Sequence, residues 1–222
     1  MSIVVIIIIA INVLFSLKGF NDYNFFQRYK FQPGPILQGK QYDRLLTSGF
    51  LHVDYIHLFL NMYVLYIFAD IVIQFFTGIL GNPSLGIVMF LVVYIGAIIG
   101  GNLLALFFQK NNPGYSAVGA SGGVSGILFA SIVILPQMML GVFFVIPMPA
   151  WIFAILYLGY SVYGVQKQLG NVGHEAHLGG AIVGLAAPVI FYPEIFSQNK
   201  WYILGMLVPI VVLLVMAIKA RK

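Results

Sequence analysis

Three polar clusters interrupt an otherwise apolar chain. His57 and Asn61 are four residues apart, which on a helix puts an imidazole and, one turn further on, an amide on the same face. Ser121 lies in Gly119-Ala120-Ser121-Gly122, and His177 lies in Ala176-His177-Leu178-Gly179-Gly180. A hydroxyl and an imidazole are the parts of nucleophilic catalysis, because neutral serine attacks poorly until a neighbouring base takes its proton. Histidine exchanges protons near neutral pH and suits that role. The tetrahedral intermediate of acyl transfer is anionic and needs donors. The Asn61 amide, the His57 ring and the backbone N–H of Ser121 at a helix start can supply them, with Ala120 placed in the same group. Glu175, beside His177, reads as a carboxylate at headgroup level, which leaves a Ser-His dyad rather than a triad.

Such residues need elements that bring them together. Of the 222 residues, 61% are apolar or aromatic and 8% are charged, too little polar surface for a water-soluble globule, so the chain reads as an integral membrane protein. Apolar runs predict seven crossing helices, at about 1–17, 55–76, 85–108, 119–136, 149–165, 176–192 and 201–218. The whole chain is expected to form a single membrane domain over 1–222. Residues 18–54, with Pro33, Gly34, Pro35 and a crowd of aromatics beside Arg28 and Lys30, read as a loop at the interface. The net charge of +5 then means anchoring at anionic lipid headgroups, not nucleic-acid binding. With no cysteine, disulfides and cysteine-ligated metals are excluded.

The second, fourth and sixth predicted spans begin on the same membrane face, and each carries its polar residues near its start. His57 and Asn61, Ser121 and His177 therefore share one side and one depth. Lipid penalises polar groups within a span, so these are functional candidates by default. Gly122 and Gly126 on the fourth span, with Gly180 and Gly184 on the sixth, give small faces on which two backbones can close and bring Ser121 to His177.

The order and spacing of these residues resemble the rhomboid family of intramembrane serine proteases. The match runs from Arg44-Leu45-Leu46-Thr47-Ser48-Gly49-Phe50-Leu51-His52 through His57 and Asn61 to the Ser121 and His177 motifs. The resemblance implies an all-α membrane bundle: a six-helix core over about 1–192 with an added seventh helix at about 200–219. It implies Ser121 as nucleophile, His177 as general base, and His57 and Asn61 as oxyanion-hole side chains. It also implies single-span membrane proteins as substrates, cleaved at a small residue in an easily unwound segment, and no metal or cofactor. This chain departs from the family in having Asp43-Arg44 for the usual Trp-Arg pair. It also has Ser125 where an aromatic often supports the imidazole, which creates a second motif, Gly123-Val124-Ser125-Gly126.

Two alternatives are carried. One is a protease-dead relative that binds membrane proteins, and the other is a zinc protease built on His52, His57, His174 and His177. His174-Glu175-Ala176-His177 lacks the spacing of the HExxH zinc motif. His52 and His174 are expected to be solvated or loop-ordering residues at span edges, while Asp70, within the second span, calls for an interior partner or a position near the opposite interface. Ten of the eleven basic residues fall on the face where the even spans begin, and Lys200 falls opposite. The positive-inside rule puts that face in the cytoplasm. The resemblance implies an extracytoplasmic site in a cell membrane, plasma or inner, and that is the expectation adopted.

Overall fold

A computed structural model describes residues 2–142, 146–167 and 173–219. A helix lies at each of the seven expected positions. They are α1 (Ile3–Asn21), α5 (Tyr55–Leu80), α6 (Pro83–Gln109), α7 (Ser121–Ile134), α8 (Ala150–Lys167), α9 (His174–Phe191) and α10 (Glu194–Lys219). The loop after α1 holds three short helices, α2 (Tyr23–Tyr29), α3 (Pro33–Leu37) and α4 (Arg44–Thr47). The turn expected over 166–173 lies mostly outside the described residues, as do Met1, Arg221 and Lys222.

Local chemistry sets the boundaries that matter. Asp54 caps α5, its carboxylate accepting the His57 N–H at 2.7 Å, and Gly81 ends that helix in the left-handed conformation at φ 63°. Asn82 caps α6 ahead of Pro83, whose missing N–H costs nothing in a first turn. α7 stops before Pro136 because the residue preceding a proline avoids helical geometry. The connection between the fourth and fifth expected spans forms a small antiparallel hairpin, β1 (Met139–Val142) with β2 (Ile146–Pro149). α10 bends at Asn199, whose amide donates to the Val133 carbonyl at 2.8 Å, so its long arm begins about where the seventh span was expected.

Among the described residues, α1, α5, α6, α9 and the first 19 residues of α10 are long and apolar enough to cross a membrane. The chain is an all-α polytopic membrane bundle. α7 has 14 residues, all but Ser121 and Ile134 buried, with α5, α6 and α9 packed around it. At about 1.5 Å per residue it is roughly 21 Å long, short of the roughly 30 Å hydrocarbon core. Ser121 stands at the start of this short central helix.

Glycine permits the close packing. A Cβ added at Gly180 would fall inside the Gly122 carbonyl, and one at Gly184 inside the Gly126 carbonyl, so the small faces of α7 and α9 do meet. The same junction takes in α6, where a Cβ at Gly179 would come within 2.6 Å of the Gly100 oxygen. The first loop is fastened by Arg44, buried and donating to the carbonyls of Lys30 at 2.7 Å and Gln27 at 2.9 Å. Asp43 accepts from Arg28 at 2.7 Å, so Asp43-Arg44 anchors the loop through two polar links. Asp70 accepts from the Ser2 N–H at the start of α1, at 3.1 Å, in a partly buried contact.

Candidate active site

α5, α7 and α9 begin around one open cavity of about 1090 Å³, and His57, Asn61, Ser121 and His177 all line it. Gly119 forms its floor. Its φ of 141° is one that residues with a Cβ rarely adopt, and an added Cβ would lie 2.8 Å from the His57 ring and 3.5 Å from Ser121 Oγ. His57 thus faces the serine across a bare glycine backbone. The first intrahelical bond of α7 runs from Val124 N–H to the Ala120 carbonyl, at 2.9 Å. The N–H groups of Ser121, Gly122 and Gly123 precede it and form the positive end of the helix. Asn61 is buried, and one of its amide hydrogens bonds the His57 carbonyl at 2.9 Å.

Ser121 and His177 sit on the facing ends of α7 and α9, and among the described residues no hydrogen bond joins them. Such bonds are often long in unliganded enzymes and tighten when substrate binds. The Ala120 N–H points to His52, donating to its Nε2 at 3.4 Å. His52 is fully buried. Ser16 gives its hydroxyl proton to the Phe50 carbonyl at 3.1 Å and so accepts from His52 Nδ1 at 2.8 Å, which leaves Nε2 as the acceptor. Burial, and then the nearby His57, depress the His52 pKa to about 3. His52 therefore orders the turn that carries Ser121, the loop-ordering role expected of it, but as a buried and neutral ring.

Several polar residues lie elsewhere than expected. Glu175, expected as a carboxylate at headgroup level, is enclosed by the protein. It is buried in the first turn of α9, where the helix dipole favours a carboxylate, and it accepts from Gln109 at 2.6 Å. His174 is buried too, in the space left by Gly164, with its ring edge-on to Tyr160 at 5.3 Å. Burial, and then the Glu175 charge, raise the pKa of Tyr115 above the cavity. Both His52 nitrogens are occupied, and among the described residues no three His, Cys, Asp or Glu side chains converge as metal ligands would. Ser125 lines the cavity as well, but its hydroxyl is bonded to Tyr157 at 2.8 Å.

A family model described as the Rhomboid domain matches residues 39–194, more than half of the chain. This chain belongs to the rhomboid family. Its relatives include RHOMBOID-like protein 12, mitochondrial, of Arabidopsis thaliana, 28% identical over 64% of this chain and 44% of that protein. Rhomboid protein 1, mitochondrial, of Saccharomyces cerevisiae is 26% identical over 78% of this chain and 51% of its own. Rhomboid-like protease 1 of Toxoplasma gondii is 25% identical over 76% and 53%. The chain spans about half the length of these curated relatives.

Two supporting features of this rhomboid were missed in the sequence. Asn102, within α6, donates to the Leu45 carbonyl at 2.8 Å and to Ser48 Oγ at 3.1 Å, and the Ser48 carbonyl takes the Gly119 N–H at 3.0 Å. A polar residue within a span was the available signal. Tyr157 of α8 is the other, and its ring lies nearly parallel to that of His177, 5.9 Å away at 23°. Tyrosine in a membrane protein reads first as an interface anchor, so type alone did not single it out.

Proposed function

We propose that this rhomboid is an intramembrane serine endopeptidase working through a Ser121-His177 dyad. The observation that carries the reading is the convergence of His57, Asn61, Ser121 and His177 on one cavity from the starts of three helices. In this reading Ser121 Oγ attacks the scissile carbonyl carbon while His177 takes the hydroxyl proton. The carbonyl oxygen becomes an anion facing the His57 ring, the Asn61 amide and the Ser121 N–H. The C–N bond then breaks, His177 returns the proton to the leaving amine, and water hydrolyses the acyl-enzyme by the reverse proton path.

The substrate class follows from family and position. A serine reached from a cavity at the ends of membrane helices suits single-span proteins whose segment unwinds at a small residue. The site is assigned to the extracytoplasmic side of a cell membrane. Supporting this, Arg44 is buried on backbone carbonyls and Arg28 is paired with Asp43, while Lys18 lies 4.9 Å above the Phe25 ring. These cations hold the first loop together, in keeping with a loop embedded at the interface.

Fluorophosphonate labelling of the membrane-inserted protein tests the chemistry. Ser121→Ala is expected to abolish labelling and cleavage of a model single-span substrate, and His177→Ala to abolish both, with each variant still inserted. A protein that never labels, yet co-purifies with membrane proteins, would instead fit the protease-dead relative.

A further inference from the structure

The candidate base is held from a third helix. The His177 imidazole has the Tyr157 ring of α8 lying along it at 5.9 Å and 23°, and the His174 ring edge-on at 6.5 Å. Tyr157 in turn packs against two further rings, Phe129 of α7 at 5.5 Å and Phe153 of α8 at 5.7 Å. Its hydroxyl is bonded to Ser125 Oγ at 2.8 Å. Ser125 follows Ser121 by one helical turn on about the same face of α7. Ser125 is 4% exposed, so the Tyr157 hydroxyl supplies the hydrogen-bond partner that its burial requires.

We propose that Tyr157 is a positioning residue for the base: its ring sets the plane of the His177 imidazole, and Ser125 sets the ring. The inference rests on the dyad reading above. An imidazole facing an open cavity turns about its side-chain bonds unless a wall stops it, and the flat face of Tyr157 is that wall. The serine of the second motif thus acts through the tyrosine, linking the helix of the nucleophile to the ring that aligns the base.

The test is the rate at which a fluorophosphonate labels Ser121, together with kcat and KM on a model single-span substrate. Tyr157→Leu keeps an apolar side chain but removes the flat wall. Labelling and kcat should fall on the order of 10²-fold, the scale of a misaligned catalytic group, with KM little changed. Tyr157→Phe keeps the ring and should lose only about fivefold, the worth of one hydrogen bond. Ser125→Ala should lose about as much. The double variant should be no slower than the slower single, because both singles break the same bond. Should Tyr157→Leu fail to insert, that non-additivity alone decides. Additive losses overturn the proposal, as do Tyr157→Phe as slow as Tyr157→Leu, or a KM effect with kcat intact. Labelling that persists in Ser121→Ala overturns the dyad and this inference with it. Labelling lost in Ser121→Ala but unchanged in Tyr157→Leu overturns this inference alone.

Discussion

The two flanks of the cavity are built by opposite means. On one flank α6, α7 and α9 meet backbone to backbone, with Gly101, Gly122 and Gly126, and Gly179, Gly180 and Gly184 set against neighbouring carbonyls or Cβ atoms. On the other flank α8 meets α10 and α7 through side chains, with Trp151 against Tyr202 at 5.9 Å and Tyr157 against Phe129 at 5.5 Å. A backbone has no rotamers, so a glycine seam fixes the separation of two helix ends directly. A side-chain interface can repack around a change of one methyl group. Ser121 and His177 are carried on the unyielding flank, and the Tyr157 ring that lies against His177 is carried on the adaptable one.

The sharpest way to break this contrast is to add bulk at the seam. Gly180→Leu puts an isobutyl group where even a Cβ already collides with the Gly122 carbonyl, and backbone cannot give way as a side-chain tip can. α7 and α9 must separate, and catalytic geometry tolerates only about 0.5 Å of looseness. Fluorophosphonate labelling of Ser121 should therefore be lost in protein that still inserts, although Ser121 and His177 are both present. Full labelling of a well-inserted Gly180→Leu protein would contradict the seam as the determinant of the dyad.

The two flanks also differed in how far the sequence exposed them. Paired glycines at i,i+4 on two spans announce a seam, and the parity of the spans places His57, Ser121 and His177 at one end, because both features depend only on spacing. The adaptable flank depends on which way individual rings turn, and spacing does not carry that. Tyr157 is one of three tyrosines on α8, beside Tyr160 and Tyr163, and only packing shows which of them meets His177. Glu175 was misplaced for a related reason. A carboxylate next to a span end reads as exposed until its acceptor role toward Gln109, 66 residues earlier, is visible. The hairpin after α7 was hidden by its own prolines, Pro147 and Pro149, which read as breakers and sit here in a short two-stranded pair.

A titratable ring is built against the start of α7. His52 must be neutral at Nε2 to accept the Ala120 N–H, and burial holds its pKa at about 3 against an ordinary 6.5. His57 faces it at 5.0 Å and opposes its protonation further, while the Asp54 charge works the other way. A histidine with a depressed folded pKa contributes stability in full above 6.5 and loses it as pH falls from 6.5 toward 3. Thermal stability of the inserted protein should therefore decline over that window, with loss of labelling following it. In His52→Gln the decline should flatten while starting from a lower plateau. An unchanged slope in His52→Gln would move the acid sensitivity to another group.

The smallest effect is expected where the adaptable flank carries its own glycine. Gly205 of α10 faces α8, and a Cβ added there would lie 3.5 Å from Ile155 Cδ1, an ordinary van der Waals contact with the end of a flexible side chain. Nothing has to move. Alanine also loses less backbone freedom than glycine on entering a helix, by about 0.5–1 kcal/mol. Gly205→Ala should therefore leave labelling of Ser121 within twofold and hold or slightly raise the melting temperature. Gly180→Ala, the same one-carbon change at the seam, should lower both. Measured side by side, the pair isolates the backbone contact, since the two substitutions are chemically identical and both fall within helices. Equal losses at the two sites would mean that α10 is packed on α8 as tightly as α9 is on α7, and that the site has no adaptable flank.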